Sequence, residues 1–276
     1  MDSLPDNAAG AGTPAVLSRF RLDFHACLTA RADELSELAD AVLCADGPVR
    51  SLAGLSLVAG HRRGHGALYD AVNAGRIDIA RLRRSLAGLP LPRAADGRLM
   101  LAVDVSSWLR PGAATSPDRL FCHVYGRGKG QAQMIPGWPY SVIAALEPGR
   151  TSWTAVLDAV RLGPDDDDIA VTAGQVRDVI TRLIAAGHWR DGDPAILVIF
   201  DAGYDVTRLS FLLADLPAQV LGRLRSDQPG AVVLPRLRAG EGPGADDPRL
   251  AVLGGRSAGA GPHLVDRGAG RGPPGP

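Results

Sequence analysis

Leu17, Phe20, Phe24, Leu28, Leu35, Leu38 and Val42 recur at helical steps along the first part of the chain. That spacing lines one face of an α-helix and predicts a helix over 15–44, with one turn interrupted at Arg31. Gly47-Pro48 stops it. Shorter helices are expected at about 49–59, at 66–74 ended by Gly75, and at 79–88. Asp78 is placed to cap the last of these and Gly88 to end it. Short helices joined by glycine turns fit either a helix-turn-helix-like module or a plain helical subdomain.

Pro90 and Pro92 form a linker, after which the periodicity changes. Arg98–Val105 is a short apolar run closed by an acid, the pattern of a buried strand. Leu120–Tyr125 and Trp138–Leu146 are further strand candidates, separated by a basic glycine-rich loop over 126–130. Residues 170–187 have a helical face of Val171, Gln175, Val179, Leu183 and Ala186. Ala195–Phe200 is the strongest strand pattern and ends at Asp201. A helix over 205–215 and a strand over Gln219–Leu224 follow. Three strands, helix, strand, helix, strand is the order of a ribonuclease H-like α/β domain, a mixed sheet flanked by helices, and other three-layer folds share it.

The organisation expected is therefore a flexible N-terminus (1–14), a small all-helical and possibly DNA-binding domain (15–92), a partial ribonuclease H-like domain (93–228) and a tail (229–276). In the tail, 20 of 48 residues are Gly or Pro and 33 are Gly, Ala, Arg or Pro. Such a segment buries too little apolar surface to offset the entropy of ordering its backbone, and disorder is expected. These are also the residues whose codons are rich in G and C. A GC-rich gene read out of frame would produce such a tail, so the native frame is expected to end near Gln228.

Composition narrows the class. Hydrophobic residues make up 46% and charged residues 22% of the 276, as in ordinary globular proteins. There is no run long and apolar enough for a membrane span and no secretory pattern, so the expectation is a cytoplasmic protein. Cys27, Cys44 and Cys122 are read as buried, reduced side chains. Lys129 is the single lysine beside 29 arginines, in keeping with a GC-rich source. The formal net charge is zero, which by itself gives no support for nucleic-acid binding. Its distribution does more: residues 61–93 hold seven arginines against Asp70 and Asp78, whereas 158–193 hold eight aspartates against four arginines.

Phosphodiester chemistry needs carboxylates on rigid elements that hold divalent ions, roughly 3.5–4 Å apart in two-metal sites. Asp104 and Asp201, each closing an apolar strand, meet that demand if the strands are neighbours. Strand-end aspartates also simply start turns, and placement alone leaves both readings open.

Five runs then carry a resemblance: HRRGHGALYDAVNAGR (61–76), LAVDVSSWLRP (101–111), TSPDRLFCHVYGRGKGQAQMIPGWPYS (115–141), TSWTAVLDAVRLGP (151–164) and FDAGYDVTRLSFLLADLP (200–217), the last continuing into VLGRLRSD (220–227). Through them, residues 50–228 closely resemble actinobacterial insertion-sequence transposases with a DDE endonuclease domain. The resemblance implies that Asp104 and Asp201 are the first and second catalytic carboxylates and hold Mg2+. It also implies DNA partners, the terminal inverted repeats and target DNA, with a possible homo-oligomer. The family's third carboxylate is a glutamate on a late helix; after Asp201 the only glutamate is Glu241, in the Gly/Pro-rich tail. The chain is thus expected to be C-terminally truncated or frameshifted and defective in strand transfer. The alternatives are a non-catalytic DNA-binding remnant that occupies transposon ends or interferes with a full-length transposase, a folded relic without function, and a magnesium-dependent phosphohydrolase. The last lacks an Asp-x-Asp motif after its first strand.

DNA contacts are expected from Arg62, Arg63, Arg81, Arg83 and Arg84, and from Arg127 and Lys129 in the glycine-rich loop. That loop lacks the P-loop pattern. Trp108, Trp138, Tyr140 and Trp153 are read as packing residues, with stacking on unpaired bases as the alternative. His61 and His65 are read as DNA-facing or solvated surface, with zinc disfavoured. Asp205 is read as a helix cap, and Asp165–Asp168 as a solvated loop leading into the helix at 170.

Overall fold

The computed structural model describes residues 13–58, 62–113, 115–124, 133–149, 154–201, 203–223, 231–234 and 265–266. It divides into two compact units, 1–90 and 91–276.

In the first unit, α1 (Thr13–His25), β1 (Leu28–Ala30), α2 (Ala32–Leu43), α3 (Leu52–Leu55), α4 (His65–Ala74), β2 (Arg76–Ile77) and α5 (Ile79–Ala87) follow in order. The helix expected over 15–44 is therefore two helices with a strand between them. Arg31 has φ 55° at the start of α2, a left-handed backbone that no continuous α-helix admits. Leu28–Ala30 instead pairs antiparallel with Arg76–Ile77, and the Asp78 amide donates to Cys27 O at 2.7 Å. A partner some fifty residues away decides this break, so local periodicity carried the helix across it. The helix expected at about 49–59 is the single turn of α3. Asp78 does cap α5, accepting from the Arg81 amide at 2.9 Å. Ala41, Leu55 and Leu68 form a small core with Leu38, Ala45, Leu52 and Val58 against it. Cys27 and Cys122 are buried as expected; Cys44, at the end of α2, is exposed.

The second unit is built on a mixed sheet. Its strands are β3 (Met100–Leu109), β4 (Leu120–Val124), β5 (Gln133–Leu146), β6 (Thr154–Arg161), β7 (Ile196–Phe200), β8 (Ala218–Arg223), β9 (Ala231–Leu234) and β10 (Val265–Asp266). Helix α6 (Asp168–Ala185) joins β6 to β7, and α7 (Val206–Leu212) joins β7 to β8. β6, β5 and β3 run antiparallel in that spatial order, and β7 and β8 continue parallel to β3. With one helix after the third strand and another after the fourth, this is the ribonuclease H-like arrangement. β4 is an addition that pairs with the first half of β5 while β6 pairs with the second half. Within 229–276, where no regular structure was expected, β9 pairs with β8 and β10 with β4; the rest of that segment lies outside the described residues.

Two features of the sheet were hidden in the sequence. β5 begins at Gln133, because Pro136-Gly137-Trp138-Pro139 reads as a turn yet continues the strand. Pro139 cannot donate, but its carbonyl accepts from the Leu162 amide at 2.9 Å. Gly137 lies close to β3, where a Cβ would meet Trp108 O at 2.6 Å. β6 went unrecognised because Asp158 interrupts its apolar run. A register irregularity opposite Ile143–Ala144 turns Leu157 and Asp158 inward together, as a bulge does. The buried Asp158 then meets Arg182 of α6 at 2.8 Å, fastening that helix to the sheet.

Burial alternates along the central strands. Leu101, Val103, Ile143, Ala145, Ile196, Val198, Phe200 and Val220 are buried, and so are Val176, Val179, Ile180 and Leu183 of α6. Gly222 shares the face of Phe200 and adjoins Val206 of α7. This places the helices on the Val103–Phe200 face, while Asp104 and Trp108 alternate to the other.

Candidate active site where two parallel strands cease to pair

The parallel register pairs Met100 with Leu197, Leu101 with Val198, Ala102 with Ile199 and Val103 with Phe200. Asp104 and Asp201 are the next residue on each strand, so the two carboxylates stand at one level on adjacent strands, roughly 4.8 Å apart at the backbone. Both are exposed. The Asp104 carboxylate accepts from the Val105 amide at 2.8 Å.

Tyr204 follows in the turn after β7, its ring 5.2 Å from that of Phe200. Its hydroxyl is buried and finds no hydrogen-bond partner among the described residues. Burial pushes this phenol far above its usual range, and the charges of Asp104, Asp168 and Asp201 push it in the same direction. Tyr204 is accordingly a neutral hydroxyl packed against Phe200. Asp168, whose charge also acts on Tyr204, was not singled out in the sequence. The run Asp165–Asp168 looked like a solvated loop, but α6 starts at Asp168, earlier than the expected 170. Asp166 accepts from the Gly163 amide at 2.6 Å, and Asp167 caps α6 through the amides of Ile169 and Ala170 at 3.2 Å. The signal for Asp168 would have been the capping residue before it, which fixes where the helix starts.

An ion pair joins the two helix starts around the site. Arg208 of α7 donates from both terminal nitrogens to Asp167, at 3.1 and 2.5 Å. Asp205 caps α7 through the Arg208 amide at 3.0 Å, as its position suggested. At the far end of α7, Arg177 grips Asp215 at 2.6 and 2.7 Å and donates to Leu212 O at 2.8 Å.

The basic residues expected to contact DNA are dispersed. Arg63 pairs with Glu37 at 3.0 Å and lies near Glu34 and Asp33, so its charge is largely met within the chain. Arg62 is exposed. Arg81 and Arg84 line an open hollow of about 550 Å3 with Asp23, Asp78 and Ser85, and Arg83 is half-buried. Arg127, Lys129, Trp153, His61 and Glu241 lie outside the described residues. Among the described residues no group of three or more His, Cys, Asp or Glu side chains is gathered closely enough to cage a metal, and no helix is long and apolar enough to cross a membrane.

The family model for the DDE superfamily endonucleases matches residues 23–255, and the chain belongs to that family. The match continues past Gln228, beyond the stretch that carries the family's motifs. Among solved structures, a chain of the Drosophila P element transposase strand transfer complex is similar at 14% identity and a TM-score of 0.37, over 69% of this chain and 41% of that one. The present chain thus spans about two-fifths of that transposase chain. No curated protein matches.

Proposed function

We propose that this chain is an insertion-sequence transposase that cuts DNA strands by metal-dependent phosphodiester chemistry at Asp104 and Asp201. The observation that supports this most is their register, one residue beyond the Val103–Phe200 pair on adjacent parallel strands. The local chemistry suits a hard cation such as Mg2+, since the donors on Asp104 and Asp201 are carboxylate oxygens. Asp104 and Asp201 would hold the metal, which when bound supplies charge neutralisation and activation of the attacking oxygen. Tyr204 stays protonated and contributes a neutral hydroxyl. The Asp167–Arg208 pair holds the starts of α6 and α7 together beside Asp201.

Strand transfer by this chain is proposed to be weak, because the family's late glutamate has no counterpart assigned among the described residues. DNA, as inverted repeats and target, is the proposed partner, and a homo-oligomer the proposed assembly.

A second reading, a DNA-binding remnant that occupies transposon ends, draws on α5, which carries Arg81, Arg83 and Arg84 within one turn. One experiment separates the two. The full chain and Asp104→Asn are incubated with end-containing DNA and Mg2+, and both nicking and end binding are measured. Nicking lost in Asp104→Asn with binding retained supports the enzyme. Binding by both proteins with no nicking by either supports the remnant and rejects catalysis.

A further inference from the structure

The exposed face of β3 continues beyond Asp104 through Ser106 to Trp108, each alternate residue reaching solvent. Trp108 is 50% exposed, on the part of β3 that pairs with β5 and runs on past its pairing with β7. It stands about 13 Å from Asp104, four residues at roughly 3.3 Å each. Its direct cross-strand partner on β5 is Trp138, whose ring centroid is 5.7 Å away with the planes tilted by 44°. The Trp138 indole N–H donates to Pro117 O at 3.4 Å, fixing the second ring. The Arg110 guanidinium lies over the Trp108 ring at 4.5 Å. Between the tryptophans and Asp104, Ser106 pairs with Tyr140, and Tyr140 with Arg161 on the next strand. Arg161 is paired with Asp118 at 3.3 Å, so the cation of this aromatic half is Arg110, whereas the Asp104 end is acidic.

We propose that Trp108, backed by Trp138 and Arg110, seats an unpaired nucleobase of the DNA strand whose scissile phosphate lies at Asp104. The inference rests on the reading of Asp104 as catalytic. An aromatic ring stacks on any base, and an adjacent arginine meets the phosphate that accompanies it. The tilt of Trp138 makes a corner, which suits one planar ring better than an extended apolar segment. Continuity with Asp104 along a single rigid strand and the positive charge of Arg110 favour nucleic acid over a protein partner. The site favours single-stranded or locally opened DNA, since a base within an intact duplex is already stacked on both faces.

The test uses the full chain in EDTA, so that binding is read without cleavage. Fluorescein-labelled single-stranded and duplex forms of one end sequence are titrated with wild type, Trp108→Ala and Trp108→Phe. Stacking of one base is worth about 1–3 kcal/mol, and 1.4 kcal/mol is tenfold in affinity. Trp108→Ala is therefore expected to weaken single-strand binding about tenfold and leave duplex binding unchanged. Trp108→Phe, which keeps a ring, should retain most of the single-strand affinity. The proposal is overturned if the wild type fails to bind single strands, if Trp108→Ala binds them as the wild type does, or if both variants lose the two DNA forms equally. A shift in oligomeric state with DNA binding intact would assign the corner to a protein contact and also overturn it. The two readings fail separately: Asp104-dependent nicking with no Trp108 effect removes the base seat alone. A Trp108 effect without Asp104-dependent nicking removes the catalytic reading and leaves a single-strand binding site.

Discussion

Arg208 holds Asp167 through both of its terminal nitrogens, joining the residue that caps α6 to the first turn of α7. Arg177 does the same with Asp215 at the other end of α7. Hydrogen bonds from these arginines hold both carboxyls below their ordinary value of 3.8.

For a depressed carboxylate, the stabilisation is fully present above the unfolded pKa and is lost as pH falls through the folded one. Both pairs are exposed, so each is worth little by itself in water. The expected outcome is that the wild type loses thermal stability as pH falls below about 4. Arg177→Ala/Arg208→Ala should lose less over the same interval, because its contribution is already absent at pH 7. Melting temperatures of both proteins between pH 7 and 3 check this, and parallel curves would reject the linkage.

Asp104 and Asp201 place two exposed negative charges at one level of the sheet. Folding gains little from that arrangement. Asp104→Asn and Asp201→Asn are expected to keep or slightly raise the melting temperature in EDTA. Mg2+ should stabilise the wild type, by about 2.7 kcal/mol at a hundredfold excess over Kd, and should stabilise neither variant. Differential scanning fluorimetry with and without Mg2+ reads both effects, and an equal Mg2+ shift in all three proteins would place the ion elsewhere.

Asp158 is buried beneath Arg182, whose side chain is only 17% exposed. Asp158→Ala leaves that guanidinium in a poorly solvated site without its partner, at a cost of about 3 kcal/mol. Urea unfolding monitored by circular dichroism measures it. Asp158→Ala/Arg182→Met should recover much of the loss, because no unpaired charge remains.

Gly222 is the contact between β8 and α7, where a methyl would lie 2.0 Å from Val206 Cγ2. Gly222→Ala is expected to destabilise by about 1–3 kcal/mol through overpacking. Val206→Ala in the same protein should recover part of it, since the two side chains compete for one space. Additive losses in the double-mutant cycle would show that the strain lies elsewhere.

The apolar runs that lead to Asp104 and Asp201 were legible in the sequence because Met100–Val103 and Ile196–Phe200 alternate buried and half-buried positions. The run alone therefore indicated a strand and the acid on it but not its extent: expected over 98–105, β3 runs on to Leu109 and Asp104 lies within it. Asp78 and Asp205 were legible as caps because capping is decided within three residues. The break at Arg31 was not legible as a strand, since Leu28–Ala30 is held by Arg76–Ile77 and nothing local demands it. β6 was hidden because its Asp158 is neutralised by an arginine on another element, which turns a polar interruption into an inward-facing residue.

The sequence by itself determined that two aspartates each follow a short apolar strand run, since hydrophobic patterning acts over a few residues. Only the tertiary structure decided that these strands are neighbours in parallel register, because strand pairing depends on chain segments nearly a hundred residues apart. It also set the start of α6 at Asp168 and left Trp108 facing solvent. The latter follows from how helices and strands pack on the sheet, which no spacing along the chain encodes.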